Sequence, residues 1–326
     1  MKSFKRCLLL ASLLASPVAF ATSAAAQTGQ ITIIENEKGD RGYWTTMSYG
    51  KELKPLSPER AAIRERMMKR RVIEEYIAFL SPVRWPHRLR LFASDCYGGR
   101  GDSPHYMPGQ YFINMCYAYA EQIEKEADLL LQFQEKKKLW TPVSRDNLIA
   151  GMYVAALLHE TGHAAFDILD APVFGREEDG ADQVEAFIAL QFGKEVARTV
   201  IKADAYEYFL HSDPPVNKPN VRDPNYPKDP AAQCWWDPFC AYSDEHGTSS
   251  QRMYNLICMA YGGHPEWVKD FVESRWLPAD RAKNCAAEYQ RAKVAFQKTI
   301  LPFIDQKKME EVIKRSWFTG AELKER

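Results

Sequence analysis

The stretch from Ser144 to His163 constrains the fold more than any other part of the chain. Val154-Ala155-Ala156-Leu157-Leu158 leads directly into His159-Glu160-Thr161-Gly162-His163. Ser144 predicts an N-cap, and Asp146 in the first turn favours the helix dipole, so a long helix through His163 is expected. Its apolar turns predict burial. Residues four apart share one helix face, so both imidazoles can reach one metal ion. Glu160 then stands beside the metal's open coordination position, where it can take a proton from water and later deliver it to a leaving amine. The plain alternative is a histidine pair that ligates nothing, and the apolar approach to the motif argues against it.

Catalytic zinc ordinarily has three protein ligands. Downstream lies Glu177-Glu178-Asp179-Gly180-Ala181-Asp182-Gln183-Val184-Glu185, which opens a second helix with an acidic first turn. Glu178 and Asp182 are again four apart. Glu178 is expected as the third ligand of a Zn2+ site with His159 and His163; Glu177, Asp179 and Asp182 are the alternatives. Asp182 is expected to accept the free N–H of a ligand histidine and fix its tautomer.

Around these two helices the pattern reads as α+β, predominantly helical with a small sheet. Ser57-Pro58 starts a helix with apolar residues at Ile63, Met67, Ile73, Ile77 and Leu80 that ends before Pro82. Leu89 to Ala93 and Tyr111 to Met115 read as strands, with a short strand at Ile31–Ile34. A helix is predicted from Tyr117 to about Lys136, another from Gly175 to Phe192, and mostly helix over 249–318. The Pro-rich segment 212–240 reads as a long loop of the kind that often serves as a lid. The run Glu59–Arg71 is dense in charge, with Glu59 and Glu65 interleaved among its cations, and fits a solvated helix face. Residues 27–57 look irregular, and no linker divides 58–326, so a single domain is expected there.

The first 26 residues have the form of a secretory signal. Lys2, Lys5 and Arg6 precede an apolar run from Leu8 to Phe20, and Ala24-Ala25-Ala26 is a small-residue cleavage site. The mature protein is therefore expected in the periplasm or outside the cell. No later stretch reaches the ~18 apolar residues of a membrane span, so the mature form is not expected to cross a bilayer. Loss of three cations takes the formal charge from 0 to −3, which offers no electrostatic case for nucleic acid. Composition, 46% hydrophobic and 12% aromatic, suffices for a sizeable core.

Six cysteines remain after cleavage, an even number that suggests disulfides in an exported chain. Cys96 and Cys116 end successive strands. Cys234 and Cys240 flank Trp235-Trp236 and could close a small ring. Cys258 and Cys285, on later helices, remain to pair.

The H-E-x-G-H and E-x-x-A-D segments together are similar to those of gluzincin-type zincins. More closely, the chain resembles a bacterial family of uncharacterised metallopeptidases. Leu80-Ser81-Pro82, Ile113-Asn114-Met115-Cys116-Tyr117, His159 to Asp167, Pro172 to Asp179, Asp244-Glu245-His246 and Gln251 to Cys258 carry that resemblance, which spans about residues 72–290. Ala118 departs from it, since an acid often follows the cysteine-tyrosine pair. The resemblance implies peptide hydrolysis but no particular substrate. In zincins an extended substrate pairs with a sheet edge, so Tyr111–Met115 is expected to be that edge, with the loop Gly98–Gly109 beside it. His246 has two equal readings: a group stabilising the oxyanion near zinc, or a structural histidine at a loop–helix junction.

Two functions compete. One is an exported zinc metallopeptidase acting on peptide or protein, cell-wall peptide included, with Glu160 as base. The other is a catalytically inactive zinc-bearing envelope protein that binds or supports. The first is favoured because metal binding alone does not need Glu160. The sequence says nothing of oligomeric state.

Overall fold

A computed structural model describes residues 45–49, 56–96, 103–137, 143–212, 245–315 and 317. The signal segment, the strand at Ile31–Ile34, most of the Pro-rich loop and the Cys234–Cys240 ring lie outside the described residues. No described helix is long and apolar enough to cross a membrane.

The architecture is α+β and predominantly helical. In chain order the elements are β1 (Thr45–Tyr49), α1 (Pro58–Arg70), α2 (Val72–Leu80), β2 (Leu89–Ser94), β3 (His105–Met107), β4 (Phe112–Cys116), α3 (Tyr117–Lys137), α4 (Arg145–Ile168), α5 (Glu177–Gln191), α6 (Lys194–Leu210), α7 (Ser249–Gly263), α8 (Pro265–Glu273), α9 (Ala279–Thr299) and α10 (Gln306–Ile313). Ser57 and Ser144 cap α1 and α4 through side-chain oxygens that accept from Arg60 N–H and Asn147 N–H.

The helix expected from Ser57 to Leu80 is two helices. Arg71 adopts a left-handed backbone, φ 53°, and its N–H reaches back to Met67 and Met68 carbonyls. The apolar spacing explains the break. Ile63 and Met67 are four apart, and Ile73, Ile77 and Leu80 keep helical steps, but Met67 to Ile73 is six. On one continuous helix those two stripes would face different directions. The turn at Arg71 lets both stripes meet the core, where Ile63, Met67, Ile73, Tyr76, Ile77, Phe79 and Leu80 are all buried.

The sheet has the order β1-β2-β4-β3. β2 pairs in parallel with β1 and β4, and β3 runs antiparallel to β4, with Tyr106 opposite Ile113. This corrects the expected edge. β4 is internal, Tyr111 belongs to the preceding turn with φ 54°, and the edge strand on the α4 side is β3, drawn from the segment read as loop. Three residues between Ser103-Pro104 and Pro108-Gly109 are too few to show a period of two.

α4 runs through the middle of the protein and packs on α3, α5, α6, β3 and β4. Two glycines set how closely its neighbours approach. A Cβ at Gly151 would stand 2.4 Å from Thr199 O and Ala203 Cβ of α6. One at Gly162 would stand 2.8 Å from Ala181 Cα of α5. Gly162, inside the histidine motif, is thus what lets the acid-bearing helix lie against the histidine-bearing one. Gly162→Ala is expected to cost about 1–3 kcal/mol by overpacking, read as a lower denaturant midpoint at unchanged slope. An unchanged midpoint would show that the two helices separate without cost.

Cys96 and Cys116 are bridged with Cα atoms 5.2 Å apart, as are Cys258 of α7 and Cys285 of α9 at 4.9 Å. Each closes a loop long enough to stabilise the fold by about 3 kcal/mol through the unfolded state. His105 lies near Cys96 and Cys116, but thiols joined to each other offer no metal ligand there.

Candidate metal centre

α4 and α5 bring three donors to one point. His159 Nε2 lies 3.0 Å from Glu178 Oε2, His163 Nε2 lies 3.3 Å from the same oxygen, and the two Nε2 atoms are 3.2 Å apart. Zinc bonds of 2.0–2.1 Å in a tetrahedron give ligand–ligand edges of about 3.3 Å. The three separations therefore have the size of one face of such a site.

The proton inventory fits a cation as well. His159 Nδ1 lies 2.8 Å from Asp182 Oδ1, and His163 Nδ1 lies 2.7 Å from Glu177 Oε1. An ionised carboxylate only accepts, so each Nδ1 carries a proton and Nε2 is the ring atom left to face Glu178 or a cation. Burial works to keep His159 neutral, but its hydrogen bonds to Asp182 and Glu178 override that and push it up to about 10. Burial would likewise raise Glu178, yet its bonds to His159, His163 and His246 hold it far below the usual carboxylate range. The pocket thus holds its carboxylate ionised and draws positive charge, as a metal site must.

His246 joins the same group. Its Nε2 is 2.9 Å from Glu178 Oε2, its ring lies nearly parallel to that of His159 with centroids 6.3 Å apart, and its side chain is 46% exposed. It stands at the solvent side of the three donors.

Glu160 reaches the edge strand β3. Its Oε2 accepts from Tyr106 N–H at 2.6 Å, so the acid of the motif is tied to the edge strand. Asp167, near the end of α4, accepts from Tyr106 Oη–H at 2.8 Å and from Gly109 N–H at 3.0 Å. One helix therefore presents the histidines and anchors the strand and turn beside them.

Behind Asp182 lies a guanidinium that sequence reasoning gave no role. Arg252 of α7 donates from Nε to Asp182 Oδ2 at 2.8 Å and from Nη2 to Oδ1 at 2.6 Å. Its Cζ sits over the Tyr208 ring, 4.6 Å from the centroid. This fork, together with His159, outweighs the effect of burial and holds Asp182 ionised. Further in, Glu185, Asp204 and Glu207 are buried on α5 and α6. The signal for them was present: Asp182/Glu185 and Asp204/Glu207 are acids three apart on otherwise apolar helix faces.

Burial pushes Asp204 up to about 7 from an ordinary 3.8, and Glu185 and Glu207 well above the carboxylate range. A raised folded value means that the proton-bound form is the one folding favours. The contribution of Asp204 is complete below 3.8 and is lost as the pH climbs through about 7. Metal-free protein is expected to lose a few kcal/mol across that window, and Asp204→Asn to flatten the loss. Parallel slopes for wild type and Asp204→Asn in thermal unfolding from pH 4 to 7 would refute it.

A family model described as "Putative metallopeptidase" matches residues 53–300. No curated protein and no solved structure matches the chain. The match spans most of the sequence and takes in both helices that carry His159, His163 and Glu178, and the chain belongs to this metallopeptidase family.

Proposed function

We propose that the chain is an exported zinc-dependent peptidase that hydrolyses peptide bonds with Glu160 as general base. The observation that carries this reading is the convergence of His159, His163 and Glu178 at mutual distances of 3.0–3.3 Å, with a glutamate between the histidines in sequence. Zinc held by these three residues would supply Lewis acidity, polarising the scissile carbonyl and easing deprotonation of the attacking water.

The chain's own residues do the rest. Glu160 takes the proton of the attacking water and passes it to the departing amine. Asp182, clamped by Arg252, accepts the Nδ1 proton of His159 and keeps its Nε2 free to ligate. His246, on the solvent side of Glu178, is placed to donate to the oxyanion that develops on the carbonyl. An extended substrate would lie along the β3 edge, where Glu160 already holds Tyr106 N–H, and so pass alongside α4. The single domain over 58–326 would hold all of these groups. The first 26 residues would direct export to the periplasm or beyond and be cut after Ala26; the disulfides suit that destination.

The deciding test is zinc stoichiometry of the purified chain together with peptide cleavage by wild type and Glu160→Gln. One zinc per chain with cleavage only by wild type supports the proposal. Zinc with no cleavage of any peptide or cell-wall substrate by wild type favours the non-catalytic envelope protein. Absence of zinc removes both.

A further inference from the structure

Ligand histidines need more than the right distance; each must present a lone pair in the right direction. His159 has Asp182 for this, a carboxylate buried to 6% side-chain exposure and gripped by Arg252. His163 faces a different kind of partner. Its Nδ1 is 2.7 Å from Oε1 of Glu177, whose side chain is 55% exposed. Glu177 and Glu178 are successive residues in the first turn of α5, so they leave the helix about 100° apart. That angle lets Glu178 face both Nε2 atoms while Glu177 reaches round to the far side of the His163 ring. Asp182, one turn beyond Glu178, reaches the far side of His159. The first six positions of one helix thus serve both the near and far sides of the histidine pair.

We infer that Glu177 is the positioning residue of His163: its carboxylate accepts the Nδ1 proton and thereby turns the Nε2 lone pair towards the metal. The inference rests on the zinc reading above. It gives Glu177 a role distinct from that of a ligand, because its Oε1 is engaged on the side of the ring opposite to Glu178. It also differs from simple complementation of the helix dipole, which any acid in the first turn supplies and which would leave the histidine tautomer alone. The two histidines are consequently held unequally, one by a buried ion pair and the other by a water-accessible acid.

The test uses the full chain, with Glu177→Ala and Glu177→Gln beside wild type. Zinc affinity is measured by competition with a chromophoric chelator. The His163 tautomer is read from long-range nitrogen–proton correlation spectra of the zinc-loaded protein, and melting is followed without metal. Glu177→Ala is expected to weaken zinc by about 10- to 100-fold and to lose the sharp Nδ1–H resonance of His163. Its metal-free melting should stay near that of wild type. Glu177→Gln, whose amide oxygen still accepts, is expected to recover most of the affinity and keep that resonance. Zinc affinity of Glu177→Ala within twofold of wild type would overturn the inference while leaving the zinc site standing. Equal losses in the two variants would make Glu177 a ligand and overturn it as well. A wild-type chain that binds no zinc would overturn this inference and the parent reading together.

Discussion

Glu160→Gln is expected to keep its zinc and to lose peptide hydrolysis by roughly two orders of magnitude or more, the usual scale of a general base. Glutamine has the same shape and retains a carbonyl oxygen where Glu160 Oε2 now accepts from Tyr106 N–H. The edge strand therefore stays tied to α4, and the three proposed ligands are untouched. What goes is the ability to take a proton. A change confined to turnover, with metal content and melting preserved, would isolate that step. Because the substrate is open, the assay begins with a library of proteome-derived peptides and with cell-wall peptide, each compared between the two proteins. Turnover by Glu160→Gln near that of wild type would remove Glu160 from the mechanism. A loss of zinc in this variant would instead assign it a part in holding the metal.

Much of this arrangement can be read from the sequence where a local pattern carries it. Ser144, Asp146 and the apolar run before His159 specify one long buried helix, and α4 is that helix. The acidic first turn at Glu177-Glu178-Asp179 opens α5, and the four-residue step from Glu178 to Asp182 puts both side chains against α4. The illegible parts depend on contacts distant in sequence. Arg252 lies 70 residues from Asp182, and nothing near it in the chain marks it as that acid's partner. β3 is too short to carry a strand's alternation, and it is a strand because β4 pairs with one side of it while Glu160 and Asp167 hold the other. The break at Arg71 is intermediate. The six-residue gap between Met67 and Ile73 shows it, but only when the two apolar stripes are compared for phase rather than counted together.

Glu178→Ala is expected to release zinc while leaving the fold largely in place. His159 and His163 would remain four apart on α4, but two imidazoles alone are short of the three protein ligands that catalytic zinc ordinarily has. Glu178 also collects contacts from His159, His163 and His246 on the single oxygen Oε2, so its removal takes away the one negative charge that these three rings share. The backbone has little reason to move. Arg176 already enters α5 in an extended conformation, Glu177 and Asp179 still complement the helix dipole, and Gly162 still seats α4 against Ala181. The metal-free variant should therefore melt close to metal-free wild type, whereas the zinc-dependent rise in melting temperature should vanish with the metal. Asp182 is poorly placed to substitute, since its two oxygens are taken by Arg252 and by His159 Nδ1. His246 is the neighbour best placed to compensate, and Glu178→Ala combined with His246→Ala shows whether it does. Full zinc retention in both the single and the double variant would move the third ligand to another acid of the α5 first turn. Zinc kept by the single variant but lost by the double would make His246 a ligand in reserve.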